Sequence, residues 1–142
     1  MSDIGLLANE YQTASELARQ INVVATRLKR EHHDLPAPAG ASGSELAVRR
    51  RDLGHLIGAV ARLLDAEDGG DPVPAIPASF VQQARVAHGG ALEYYRQDLR
   101  ELAGLLADPS ARLGERDLAL LDELATFADA ESSRVFRRLL RK

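Results

Sequence analysis

Apolar side chains in this chain recur at alternating steps of three and four, in four stretches set apart by proline and glycine. That spacing returns a side chain to the same face of a helix on every turn. The stretches lie near residues 3–34, 44–68, 79–107 and 115–141. The first carries Ile4, Leu7, Tyr11, Ala14, Ala18, Ile21, Ala25 and Leu28 on one stripe, and the second Leu46, Leu53, Ile57, Val60 and Leu64. The third carries Val81, Leu92, Tyr95, Leu99, Leu102 and Leu106, and the fourth Leu118, Leu121, Ala125, Ala128, Val135 and Leu139. Pro36–Gly43 and Gly69–Pro77 are too rich in helix breakers to continue either neighbour, and Asp108-Pro109 with Gly114 marks a weaker break. No stretch alternates with period two.

Four amphipathic helices joined by short loops pack most simply as antiparallel neighbours. The pattern therefore predicts an all-α, up-down-up-down four-helix bundle. The 142 residues suit one domain, 1–142. Composition agrees: aromatic residues are only 4% and there is no Trp, so the apolar mass is aliphatic and favours helix over sheet. Ser44 is placed to start the second helix, and Ser79 followed by Gln82 reads as a capping box for the third.

With no cysteine, disulfides, thiol catalysis and thiolate metal sites are excluded. No run approaches 18 apolar residues, so no membrane span is expected. The first residues hold Asp3 and Glu10 and lack the basic start and apolar run of a secretion signal, which predicts a cytoplasmic protein. Arginine outnumbers lysine 16 to 2, a bias expected of a GC-rich bacterial genome. A net charge of −3 argues against a general nucleic-acid binder.

A helical wheel over 79–107 puts His88 at the centre of the apolar face. Counting turns places Tyr11, Gly58 and Glu131 or Ser132 in the same layer. The candidate buried polar layer is therefore Tyr11, His88, Glu131 and Ser132, either a hydrogen-bonded core histidine or the heart of a small-ligand or pH sensor. His55 faces away from the core. It lacks the setting of histidine phosphotransfer domains, because His55-Leu-Ile-Gly58 has no lysine and its glycine comes one place early. Asp52-Leu-Gly-His55 points outward, and the adjacent residues Glu31-His32-His33-Asp34 do not face one another on a helix, so neither makes a metal cage. No catalytic residue, cofactor or metal ligand is assigned.

Two basic clusters, Arg27, Lys29, Arg30 and Arg49, Arg50, Arg51, meet at the end of the bundle that also holds the start of the fourth helix. They are a candidate surface for an anion or nucleic acid. With Arg112 and Arg116 they make eight positive charges, against seven acids at Glu31, Asp34, Glu45, Asp52, Asp108, Glu115 and Asp117. That end is charge-rich but nearly neutral. The opposite end carries Arg134, Arg137, Arg138 and Arg141, with Glu67, Asp68 and Asp71 expected nearby as partners. On the fourth helix Leu120 and Phe127 lie roughly 100° from the seam and continue through Leu124, a surplus apolar face that marks a candidate partner surface.

The function these features predict is a non-catalytic helical interaction or assembly module, an adaptor or small subunit that holds a protein partner or a second copy of itself. One alternative is a helical subunit of a nucleic-acid-associated complex acting through the arginine-rich end. Another is a sensor built around His88.

Overall fold

A computed structural model describes residues 3–65 and 73–141. Among them the chain is helical and contains no strand. The elements are α1 (Asp3–His32), α2 (Gly43–Asp65), α3 (Ala78–His88), a single 3-10 turn (Gly89–Ala91), α4 (Leu92–Ala107) and α5 (Glu115–Leu140). No described helix is long and apolar enough to cross a membrane.

The bundle is built as two antiparallel pairs. In one, α1 runs along α5: Tyr11 meets Phe136, Asn22 donates to Asp129 and Lys29 pairs with Asp122, so numbers rise on one helix as they fall on the other. In the other, α2 runs along α4, from Arg50 against Leu106 at one end to Asp65 beside Arg96 and Arg100 at the other. The pairs close on a common core. Leu17, Ile21, Val24 and Leu28 of α1 meet Leu53, Ile57, Val60 and Leu64 of α2, Leu99, Leu102 and Leu106 of α4, and Leu121, Leu124 and Ala128 of α5. These are largely the positions the three-and-four spacing selects.

Small residues set the distance between α2 and α4. A Cβ on Gly54 would lie 3.0 Å from the Ala103 carbonyl oxygen and 3.4 Å from the Leu106 Cβ. Only glycine lets the two backbones come so close.

The helix expected over 79–107 is two helices. Gly89 takes φ +41°, and its N–H returns to the Arg85 carbonyl, closing α3 before α4 starts at Leu92. Glycine adopts that conformation at little cost, and the Gly89-Gly90 pair ends the helix despite the apolar periodicity that runs through it. After the break, α3 packs Phe80, Val81 and Ala84 into the core and lays Phe80 against Phe127, ring centres 4.9 Å apart.

Three helix ends also differ from expectation. Ser42, one residue before α2, accepts the Glu45 N–H at 3.3 Å, and Ser44 only bonds to Ser42. The residue preceding α3 is Pro77, which provides no side-chain cap, and the Ser79 hydroxyl instead donates to Glu10 at 3.1 Å. α1 stops at His32, where Asp34 adopts φ +56° and the Leu35 N–H reaches the Arg30 carbonyl at 2.8 Å, the hydrogen bond of a Schellman termination. The expected pairing of Glu67, Asp68 and Asp71 with the C-terminal arginines lies outside the described residues, as do residues 66–68 of the predicted second helix and the side chain of Ile4.

Candidate interaction surface

The arginine-rich end is largely a structural device. Arg50, expected on an anion-binding surface, is 3% exposed. Its guanidinium donates to five backbone carbonyls: Leu105 (2.8 Å), Asp108 (2.9 Å), Ala111 (3.0 Å), Leu106 (3.3 Å) and Pro109 (3.4 Å). Three of these groups lie at and just before the end of α4, where the last carbonyls of a helix lack their usual i+4 partner and carry the negative end of its dipole. A planar fork with five N–H donors suits that cluster. Burial pulls the Arg50 pKa down, opposed by the charges of Glu31 and Asp108.

Its neighbours are held within the chain as well. Lys29 pairs with Asp122 at 2.6 Å, Arg49 with Glu45 at 3.1 Å and Arg51 with Asp52 at 4.0 Å. Arg30 donates to the Pro36 carbonyl at 2.6 Å, and Arg112 to that of Glu31 at 3.0 Å. Arg27 is half-buried. The six residues Arg27, Lys29, Arg30, Arg49, Arg50 and Arg51 therefore do not form an open basic patch, because Arg30 and Arg50 close a loop and a helix end while Lys29, Arg49 and Arg51 pair with acids.

The predicted polar layer is not assembled. Tyr11 sits on the outer side of the α1–α5 pair with its ring 5.3 Å from that of Phe136. Gly58 faces Ala103 in the other pair. His88 is half-exposed at the α3–α4 elbow, stacked on Tyr95 with ring centres 3.5 Å apart, and its Nε2 lies 3.6 Å from Glu123. Burial pushes the Tyr95 phenol well above its ordinary range, helped by the negative charge of Glu123. Glu131 is buried, 4% exposed, and bonded to Arg134, while Ser132 is half-buried. Burial raises the Glu131 pKa, but the hydrogen bonds from Arg134 and the charges of Arg134 and Arg138 outweigh it, so the carboxyl titrates below its ordinary value. A wheel drawn across Gly89-Gly90 assumes a continuous helix, and the break removes that assumption.

The proposed apolar partner face on α5 is also largely covered. Leu124 is 2% exposed, in the core, and Phe127 packs on Phe80 because α3 folds over it. Leu120 stays half-buried, at the edge of an open groove between α4 and α5.

Large apolar side chains face solvent singly at Leu6, Leu35, Val48, Val86 and Tyr94, and two stand together at the other end of α5. Phe136 is 42% and Leu140 69% exposed. They stand four residues apart, hence on one face of the helix, and Tyr11 extends the patch across to α1. Arg137 and Arg141 follow them in sequence along one flank of the helix and Arg138 lies on its far side; all three are exposed, and among the described residues none is in an ion pair.

The chain matches no protein-family model, no curated protein and no solved structure. Among the described residues no three metal-ligating side chains converge. What the geometry offers is a surface: two large apolar side chains flanked by Arg137 and Arg141. Sequence reasoning noted the arginines of this end but assigned Phe136 to no surface. The available signal was Phe136 and Leu140 at i and i+4, displaced from the Val135 and Leu139 stripe.

Proposed function

We propose that this chain is a non-catalytic helical interaction module that holds a protein partner against the last turns of α5. The observation that carries the reading is the exposure of Phe136 and Leu140 near arginines whose side chains make no ion pair among the described residues. Burying side chains of this size contributes about 1.5–3 kcal/mol each. Aromatic and arginine side chains are the types that most often anchor protein interfaces. The arginines of the opposite end, by contrast, are engaged within the chain, which does not favour the nucleic-acid reading.

The test is the size of the complex in an extract of cells producing the protein. The wild type is expected above its monomer mass of 15.4 kDa. Phe136→Glu/Leu140→Glu is expected at monomer mass with an unchanged thermal midpoint. A wild-type chain that runs as a monomer in the extract overturns the proposal.

A further inference from the structure

α5 carries two surfaces of opposite charge. At its C-terminal end stand Phe136, Leu140 and the exposed arginines. Along its first half, an open groove of about 380 Å³ separates it from α4. Asp98, Glu101, Asp117 and Glu123 line that groove, with Arg116 as the single cation and Leu120 as an apolar contact. Asp98 and Arg116 pair at 3.7 Å, and Arg116 is otherwise in solvent. The groove therefore presents a negative wall beside the half-buried Leu120, the complement of Phe136 and Leu140 with Arg137 and Arg141 on their flank.

The two surfaces cannot meet within one molecule. Leu120 and Leu140 are 20 residues apart on one helix, roughly 30 Å at 1.5 Å per residue. We infer that the last turns of α5 dock into the α4–α5 groove of a second copy of this chain, placing Phe136 and Leu140 against Leu120 and the arginines among Asp98, Glu101 and Glu123. This rests on the proposed partner-binding role of the α5 end and names its occupant. Such a contact joins unlike surfaces, so each joined pair keeps one free tail and one free groove, and association continues head to tail rather than closing at a two-fold dimer. Opposite charges at the rim steer the contact and make it sensitive to salt.

Sedimentation equilibrium of the purified chain tests this, at concentrations up to about 1 mM so that contacts of millimolar Kd are populated. At low salt, roughly 50 mM, the average mass is expected to climb beyond dimer with concentration and to fall back at about 0.5 M salt. Arg137→Glu/Arg138→Glu/Arg141→Glu removes the tail charge, and Glu101→Lys/Glu123→Lys inverts the groove. Each variant alone is expected to be monomeric with a wild-type melting curve. A mixture of the groove variant with the tail variant in its neutral form, glutamine at the three arginines so that the altered tail does not pair with the lysine groove, is expected to give a one-to-one dimer and nothing larger, since it joins one intact tail to one intact groove. The glutamine triple variant at the same arginines gives the same readout if the glutamates disturb the fold.

A wild type that stays monomeric throughout overturns the inference, as does a mixture of folded variants that stays monomeric. Self-association that survives in either variant alone overturns it too. If the purified chain is monomeric while its large complex in extract still depends on Phe136 and Leu140, self-docking fails and the partner-binding reading stands. Loss of that dependence in extract removes the reading itself.

Discussion

At the end of the bundle where α1 stops and α5 begins, Lys29, Arg30, Arg49, Arg50, Arg51, Arg112 and Arg116 each hold something within the chain. At the opposite end, Arg137, Arg138 and Arg141 stand in solvent beside Phe136 and Leu140. Both clusters look alike as sequence. They differ because α4 ends beside Arg50 and exposes a cluster of carbonyls there, while the end of α5 meets no such neighbour among the described residues. Availability, rather than density, of positive charge separates a structural cluster from a candidate surface.

The largest test of that contrast is Arg50→Met. It takes the guanidinium away from five backbone carbonyls, of which Leu105 and Asp108 keep a backbone N–H, and the expected cost is about 3–5 kcal/mol in urea unfolding. Replacing Arg137, Arg138 and Arg141 together is expected to leave stability within roughly 0.5 kcal/mol per site. Equal effects from the two sets would erase the distinction between the ends.

Gly54→Ala sharpens it further, since Gly54 sits one turn after Arg50 and sets the approach of α2 to α4. The added Cβ meets the Ala103 carbonyl at 3.0 Å, so the helices must separate and carry Arg50 away from its acceptors. A loss of about 1–3 kcal/mol is expected. A neutral result in the same unfolding assay would mean that Arg50 does not need that spacing.

Next comes Glu131, the buried acid at the α5 end. Its folded-state pKa lies below the ordinary 4.5. Its contribution is therefore fully present above about pH 4.5 and disappears as pH falls through the lower folded value. Glu131→Gln is expected to cost about 1 kcal/mol at pH 7, discounted because Arg134 is 37% exposed, and to flatten this part of the acid limb. Thermal melting at pH 7 and at pH 3.5 checks both. A larger pH dependence in the variant than in the wild type contradicts the assignment. Smallest is Arg49→Met, which breaks an exposed pair one turn apart on α2 and is expected to change stability by less than about 0.5 kcal/mol.

The helices themselves were readable because their signals are local. Three-and-four spacing marks the buried faces of α1, α2 and α5, and proline with glycine marks most of their boundaries. The third segment was misread for a local reason as well: its apolar periodicity passes through Gly89-Gly90 without interruption, while the backbone turns at φ +41°. That single turn moves His88 out of the core and brings Phe80 over Phe127, so it undid the polar layer and the surplus apolar face together. A Gly-Gly pair inside a helical pattern was the one visible warning.

From its sequence alone, this chain determines that it forms amphipathic helices, where most of them start and stop, and which stripe of each faces inward. Those properties depend on neighbours within a few residues. Which charges and apolar side chains remain free was decided by the tertiary structure. Arg50 and the carbonyls it binds are more than 50 residues apart, and Phe127 and the Phe80 that covers it are 47 apart. Their meeting depends on how α2 registers against α4 and how α3 folds over α5, which no local periodicity encodes.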